Sequence, residues 1–175
     1  MTTYQELKDK LSEKLSEEEL KKIVLPEDLT EIEKDIVETE NAFLYSNLME
    51  KLRLSKRKLS DETLEKLFEK GMNNKDQGYK LLKWVFHIGE FKLTHFGSRL
   101  NELLEKFARG MNEKHAPDTL IAYAFGIGGM LRSKECYDIA KEVASYRLIN
   151  GLVLDAAQQL IKMVDDPTYD AYEVK

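Results

Sequence analysis

Apolar positions recur at helical spacing along most of the chain. From Thr30, the series Ile32, Ile36, Phe43, Leu44, Leu48 and Leu52 predicts one long helix that ends in the basic stretch 51–58. Ser60 then caps a helix carrying Leu64, Leu67 and Phe68. Upstream, Leu7, Leu11, Leu15 and Leu20 are sparse. Ser16 followed by Glu19 forms a capping-box pattern, so this region reads as short polar helices that Pro26 closes. Such thin apolar faces predict a loosely packed or partner-dependent segment over residues 1–28.

Downstream the chain repeats itself. Gly71-Met72-Asn73-Asn74-Lys75 matches Gly110-Met111-Asn112-Glu113-Lys114 at an offset of 39 residues. The same offset places Leu81 on Leu120, Trp84 on Tyr123, Phe86 on Phe125, Ile88 on Ile127 and Gly89 on Gly128. Further on, Leu100 falls on Ile139, Leu104 on Val143 and Phe107 on Tyr146. A weaker third copy begins near Asn150 and Gly151, with Leu154, Ala157, Leu160 and Ile161. A period near 39 with helical apolar spacing predicts stacked helix pairs. The expected fold is all-α: a short right-handed stack of antiparallel helix pairs over 29–165, an α-solenoid whose clearest units are 71–109 and 110–148. The segment 1–28 precedes it as an acidic helical appendage, and 166–175 follows as a polar tail. Each unit sets a nearly all-apolar helix (79–89, then 119–131) beside an amphipathic one (98–109, then 134–147). Gly71 and Gly110 are placed as helix stops with positive φ, and Pro117 with Asp118 opens the next helix.

The run Asp118-Thr119-Leu120-Ile121-Ala122-Tyr123-Ala124-Phe125-Gly126-Ile127-Gly128-Gly129 resembles the second helix of a HEAT repeat, which ends in a small-residue pattern. Residues 78–89 are a poorer copy, and the resemblance covers about residues 60–165. Asp76 and Asp118 fit the turn acids of the HEAT ladder, while Leu82 and Ala124 stand where its Arg would follow. The resemblance implies a HEAT-like solenoid whose second helices line a concave binding face and whose work is macromolecular scaffolding. A few HEAT-like proteins are DNA repair enzymes; that role would fall here to Trp84, Tyr123 and Asp118.

Lys80, Lys83, His87 and Glu90 fall on one helical face, and the 39-residue offset makes Thr119, Ala122, Gly126 and Gly129 its counterpart. One reading is a groove in which the charged stripe contacts a partner and the small stripe admits its close approach. The other is that the small stripe packs against another helix of the same chain, such as the N-terminal one. A glycine inside a helix costs about 1 kcal/mol against alanine, so close packing of some kind is expected either way.

Charge adds a second candidate surface. The formal net charge is −5, yet residues 1–40 hold 13 acids against 6 lysines. An acidic chain repels phosphate backbones unless it carries a separate basic patch. Lys51, Arg53, Lys56, Arg57 and Lys58 form that patch, without the interleaved aromatics that stack on bases. They read either as a contact for phosphates or as the solvated end of a helix. The acidic front, with Glu17, Glu18 and Glu19, reads as a docking face for a basic partner or as a soluble helix surface.

Catalytic chemistry finds little to build on. His87, His95 and His115 form no metal-ligand pair, and Cys136 has no nearby cysteine or base. Gly126, Gly128 and Gly129 lack the strand and third glycine of a nucleotide loop. No metal or cofactor is expected. The lone cysteine and the polar start predict a reducing, cytoplasmic setting. The longest apolar run, 120–131, is too short for a bilayer, which needs about 20 residues, so no membrane role is expected. The expected function is non-catalytic binding of a protein partner, as an adaptor or inhibitor. Nucleic acid held by 51–58 with Lys80 and Lys83 is the alternative. Homo-oligomerisation is a further option, because terminal repeats expose apolar flanks.

Overall fold

The computed structural model describes residues 3–109 and 117–172, and their regular elements are all helical, so the fold is all-α. In chain order the helices are α1 (Tyr4–Leu11), α2 (Glu17–Lys22), α3 (Thr30–Glu38), α4 (Ala42–Leu54), α5 (Asp61–Asn73), α6 (Lys80–Glu90), α7 (Gly97–Ala108), α8 (Asp118–Met130), α9 (Tyr137–Ala144) and α10 (Gly151–Asp165). Short 3-10 turns lie at Lys75–Gln77, Thr94–Phe96 and Lys134–Cys136. The chain divides into two compact units, Met1–His87 and Ile88–Lys175. Among the described residues, no helix is long and apolar enough to cross a membrane.

In the first unit the N-terminal segment is packed, contrary to the loose appendage expected. Leu11, Leu20, Ile23 and Leu25 are buried. Polar side chains of α4 hold the segment by its backbone. Asn47 Nδ2 donates to the carbonyls of Leu11 and Glu13, both at 2.8 Å, and Lys51 Nζ donates to that of Lys21 at 3.3 Å. Apolar counting underestimated this because few apolar side chains are buried there and hydrogen bonds to the backbone add to their hold. The capping box at Ser16 and Glu19 forms as expected, as does the Ser60 cap.

The long helix expected from Thr30 is two helices. Asn41 caps α4 by accepting from the N–H groups of Phe43 and Leu44, and Thr39 Oγ1 accepts from Asn41 N–H. These side chains offer the backbone a non-helical alternative, so the helix breaks although the apolar period runs on. Gly71 is not a helix stop; it lies inside α5, and none of the described glycines has positive φ. Its need is space: a Cβ there would meet Leu81 Cδ2 at 2.5 Å. Gly110 lies outside the described residues.

Helix ends supply the repeating feature. Lys56, Lys92 and Arg132 adopt left-handed φ of 55°, 52° and 51°. In each case the following N–H reaches back into the helix: Arg57 to the Leu52 carbonyl, Leu93 to Ile88, and Ser133 to Gly128. This is the six-to-one bond of a Schellman motif. A cation at each left-handed position also suits the negative end of a helix. Aligned by this turn, α6 and α8 are 40 residues apart, not 39, and α4 precedes α6 by 36.

That register corrects the expected pairing. Trp84 corresponds to Ala124 and Leu48, and all three are fully buried. Tyr123, the expected counterpart of Trp84, is 48% exposed whereas Trp84 is 0% exposed. The 110–114 half of the sequence match lies outside the described residues. In the second unit α10 packs along α8, where a Cβ on Gly129 would stand 3.1 Å from Leu160 Cα and one on Gly128 would stand 3.0 Å from Leu160 Cδ1. α9 is shorter than the expected 134–147: its start is a 3-10 turn, and Ser145 ends it by donating to the Glu142 carbonyl.

Candidate functional site

The expected charged stripe does not face solvent as a stripe. Lys80 is 0% exposed; its ammonium donates to the carbonyls of Ile36 and Val37, each at 3.0 Å, and lies 5.3 Å from the centre of the Tyr45 ring. Lys70 donates to the same Val37 carbonyl. Two cations therefore close the C-terminal end of α3, where the helix dipole favours them. Burial and the neighbouring Lys70 charge bring Lys80 down to about 8, with Glu40 opposing. His87 is buried too, its Nε2 accepting from Leu59 N–H at 3.1 Å. Lys83 is part-exposed and pairs with Glu50 at 3.6 Å; Glu90 is part-exposed. The face was misread because the helix axis alone does not say which flank is covered.

The basic stretch is also drawn inward. Lys51 is buried against the Lys21 carbonyl, and Arg53 is paired with Glu50. Arg57 donates to the carbonyls of Pro26 and Glu27, clamping the strand of chain that leads into α3. Lys56 and Lys58 are exposed. Of the acidic front, Asp35 accepts from Tyr4 Oη at 2.6 Å and from Lys8, and Glu33 accepts from Ser60 N–H. Trp84, buried against Phe68 with its Nε1 donating to the Leu64 carbonyl at 2.9 Å, is core and offers no stacking platform. Cys136 is buried, and burial pushes its thiol up to about 11, away from nucleophilic character. Among the described residues, no cluster of His, Cys, Asp and Glu is placed to hold a metal ion.

The small stripe divides. Gly129 packs on α10, so the close approach is to another helix of the chain, though not the N-terminal one. Thr119, Ala122 and Gly126 instead stay open, and with Tyr123, Ile127, Met130, Leu152 and Tyr172 they line a groove of about 620 Å³. The pattern follows from the sequence of α8, which carries no charged residue after Asp118. Leu120, Ile121, Ala124, Phe125, Gly128 and Gly129 turn to the core, leaving an uncharged outer face. Leu152 is 73% exposed on one wall, and Tyr172 is 43% exposed, its phenol donating to the Gly126 carbonyl at 2.9 Å. Three of the eight proposed binding residues thus meet at one site. Tyr123, Ile127, Met130, Leu152 and Tyr172 were missed; two tyrosines in an otherwise polar tail were the available signal for the last.

No protein-family model, curated protein or solved structure matches the chain.

Proposed function

We propose that this chain is a non-catalytic interaction module, a short stack of HEAT-like helix pairs, that binds a protein partner in the groove on α8. The observation that carries the reading is the outer face of α8. Thr119, Ala122, Tyr123, Gly126, Ile127 and Met130 follow the i, i+3, i+4, i+7, i+8, i+11 spacing of one helical stripe and form an uncharged trough with a shallow, small-residue floor. A trough of that kind suits the apolar face of an amphipathic helix, whose anchors recur at the same spacing. The chain supplies its own precedent. In the 36- and 40-residue registers, Tyr123 and Ile127 correspond to Asn47 and Lys51 of α4, and those two residues hold α1 and α2 over that face. The HEAT-like repetition is supported by the recurring turns at Lys56, Lys92 and Arg132.

The nucleic-acid alternative draws less support, because Lys51 and Lys80 are buried on carbonyl oxygens and Arg57 holds two more. The test is affinity capture from the native host with the immobilised chain. One protein should be retained in stoichiometric amount, resist about 0.5 M salt, and be lost from the Tyr123→Asp, Leu152→Asp double variant. Retention of nucleic acid instead, released by salt and unaffected by the double variant, would overturn the proposal.

A further inference from the structure

The segment that follows α10 folds back over α8. Asp166 Oδ1 accepts from the N–H and hydroxyl of Thr168, turning the chain as it leaves the helix. The Arg132 guanidinium then gathers three carbonyls, those of Met163, Asp166 and Tyr169. Lys162 stands 4.0 Å from the centre of the Tyr169 ring. Among the described residues beyond Tyr169 the hold is lighter. Ala171 N–H meets the Met163 sulfur at 3.4 Å, a weak acceptor, and Tyr172 reaches the Gly126 carbonyl. Tyr172 thus lines the groove as an aromatic side chain on an uncharged floor, with its one polar atom satisfied by the helix backbone.

Resting on the binding role given to this groove, we propose that residues 166–172 are a strap whose Tyr172 occupies one end of the groove and must withdraw before a partner fills it. Two features argue for a strap over a fixed part of the core. The anchoring is graded: a multiply bonded base at 163–169 is followed by a lightly held tip at 170–172, so the tip can leave while the base stays. The occupant is also half in water, with Tyr172 43% exposed, so its withdrawal opens no buried cavity. The floor beneath it is glycine. A Cβ at Gly126 would stand 3.7 Å from the phenol oxygen, so the hydroxyl end of Tyr172 reaches bare helix backbone. A ligand competing with such a strap sees its affinity lowered by the fraction of time the groove is closed.

The experiment uses the full chain and 1-anilinonaphthalene-8-sulfonate as an apolar probe, titrated by fluorescence, with circular dichroism confirming the fold. Removing the ring and its hydrogen bond in Tyr172→Ala should tighten probe binding about fivefold. Adding Leu152→Asp to that variant should abolish the gain, placing the probe in the groove. Unchanged binding in Tyr172→Ala, or a gain that survives Leu152→Asp, overturns the strap. The outcome separates from that of the capture experiment. A probe gain without a retained partner upholds the strap and sinks the binding role; a retained partner without a probe gain does the reverse.

Discussion

The two units hold their helices together by different means. In Met1–His87 polar bonds are added to the apolar core at many junctions: Asn47, Lys51, Arg57, Lys70 and Lys80 all spend their N–H groups on backbone carbonyls of distant elements. In Ile88–Lys175 the chief junction is steric: Gly128 and Gly129 let α10 lie directly on α8, and a Cβ on Gly89 would stand 2.4 Å from Ile127 Cδ1. The contrast teaches that a residue's chemistry does not announce its place. Lys80, which read as part of a docking stripe, is an interior fastener, and the open groove lies on a face with no charge at all.

The largest expected effect sharpens the comparison by testing which residues are equivalent across it. Trp84→Ala removes a fully buried ring and its bond to the Leu64 carbonyl, and should cost about 3–5 kcal/mol in urea denaturation. Tyr123→Ala, at the position paired with Trp84 by a 39-residue period, should change stability by about 0.5 kcal/mol or less. Comparable losses would restore that pairing and undo the 40-residue register.

That single residue of register marks what was legible in the sequence and what was not. The helices themselves were readable, because period, the Ser16 and Ser60 caps and the breaker Pro26 act locally. Apolar residues at near-constant spacing also suggested a repeat, and the like turns after α4, α6 and α8 give it a spacing. Its exact phase was not readable, because apolar residues one position apart on a nearly all-apolar helix satisfy either alignment. The turn that fixes the phase rests on Lys92 and Arg132 in left-handed conformation, where glycine is the residue sequence reasoning looks for. Three of the eight groove residues were visible as the small stripe Thr119, Ala122 and Gly126. Leu152 and Tyr172 come from segments 22 or more residues away along the chain, and the tyrosines of the polar tail were the one hint of either.

The steric junction should be the next most sensitive. Gly129→Leu drives a branched side chain against the α10 backbone at Leu160 and should lower stability by about 3 kcal/mol, read as a fall in Tm. A tolerated leucine there would mean that α8 and α10 are not in direct contact.

The polar junction should show instead in pH dependence. Lys80 titrates near 8 in the folded chain against about 10.5 when unfolded, so between these values the unfolded state holds more protons. The Lys80 contribution to stability is therefore expected to be flat below pH 8 and to rise, by on the order of 2 kcal/mol, as pH increases from 8 towards 10. Above about 10 stability itself should fall. Burial raises the phenols of Tyr4 and Tyr45 and the thiol of Cys136, so the unfolded chain loses those protons first. Lys80→Met should remove the part of the rise that begins near pH 8, leaving the contribution of Lys51, which burial also lowers, and the fall. A rise from pH 8 that persists in this variant would assign the effect to another group.

The smallest expected effect carries the sharpest contrast, because it lies on the same helix as Gly129. Gly126→Ala adds a methyl that meets nothing closer than the Tyr172 hydroxyl at 3.7 Å, an ordinary contact. Alanine is favoured over glycine inside a helix by about 0.5–1 kcal/mol, and no close approach opposes it here. The variant should therefore be more stable than the parent by roughly that amount, measured by the shift of the urea midpoint at constant slope. Gly129→Ala differs only in position, yet its methyl stands 3.1 Å from Leu160 Cα and should destabilise. Opposite signs at two glycines one helical turn apart would show one flank of α8 packed and the other open. Losses at both would mean that the Gly126 flank is covered by the fold, and gains at both that α10 does not rest on Gly129.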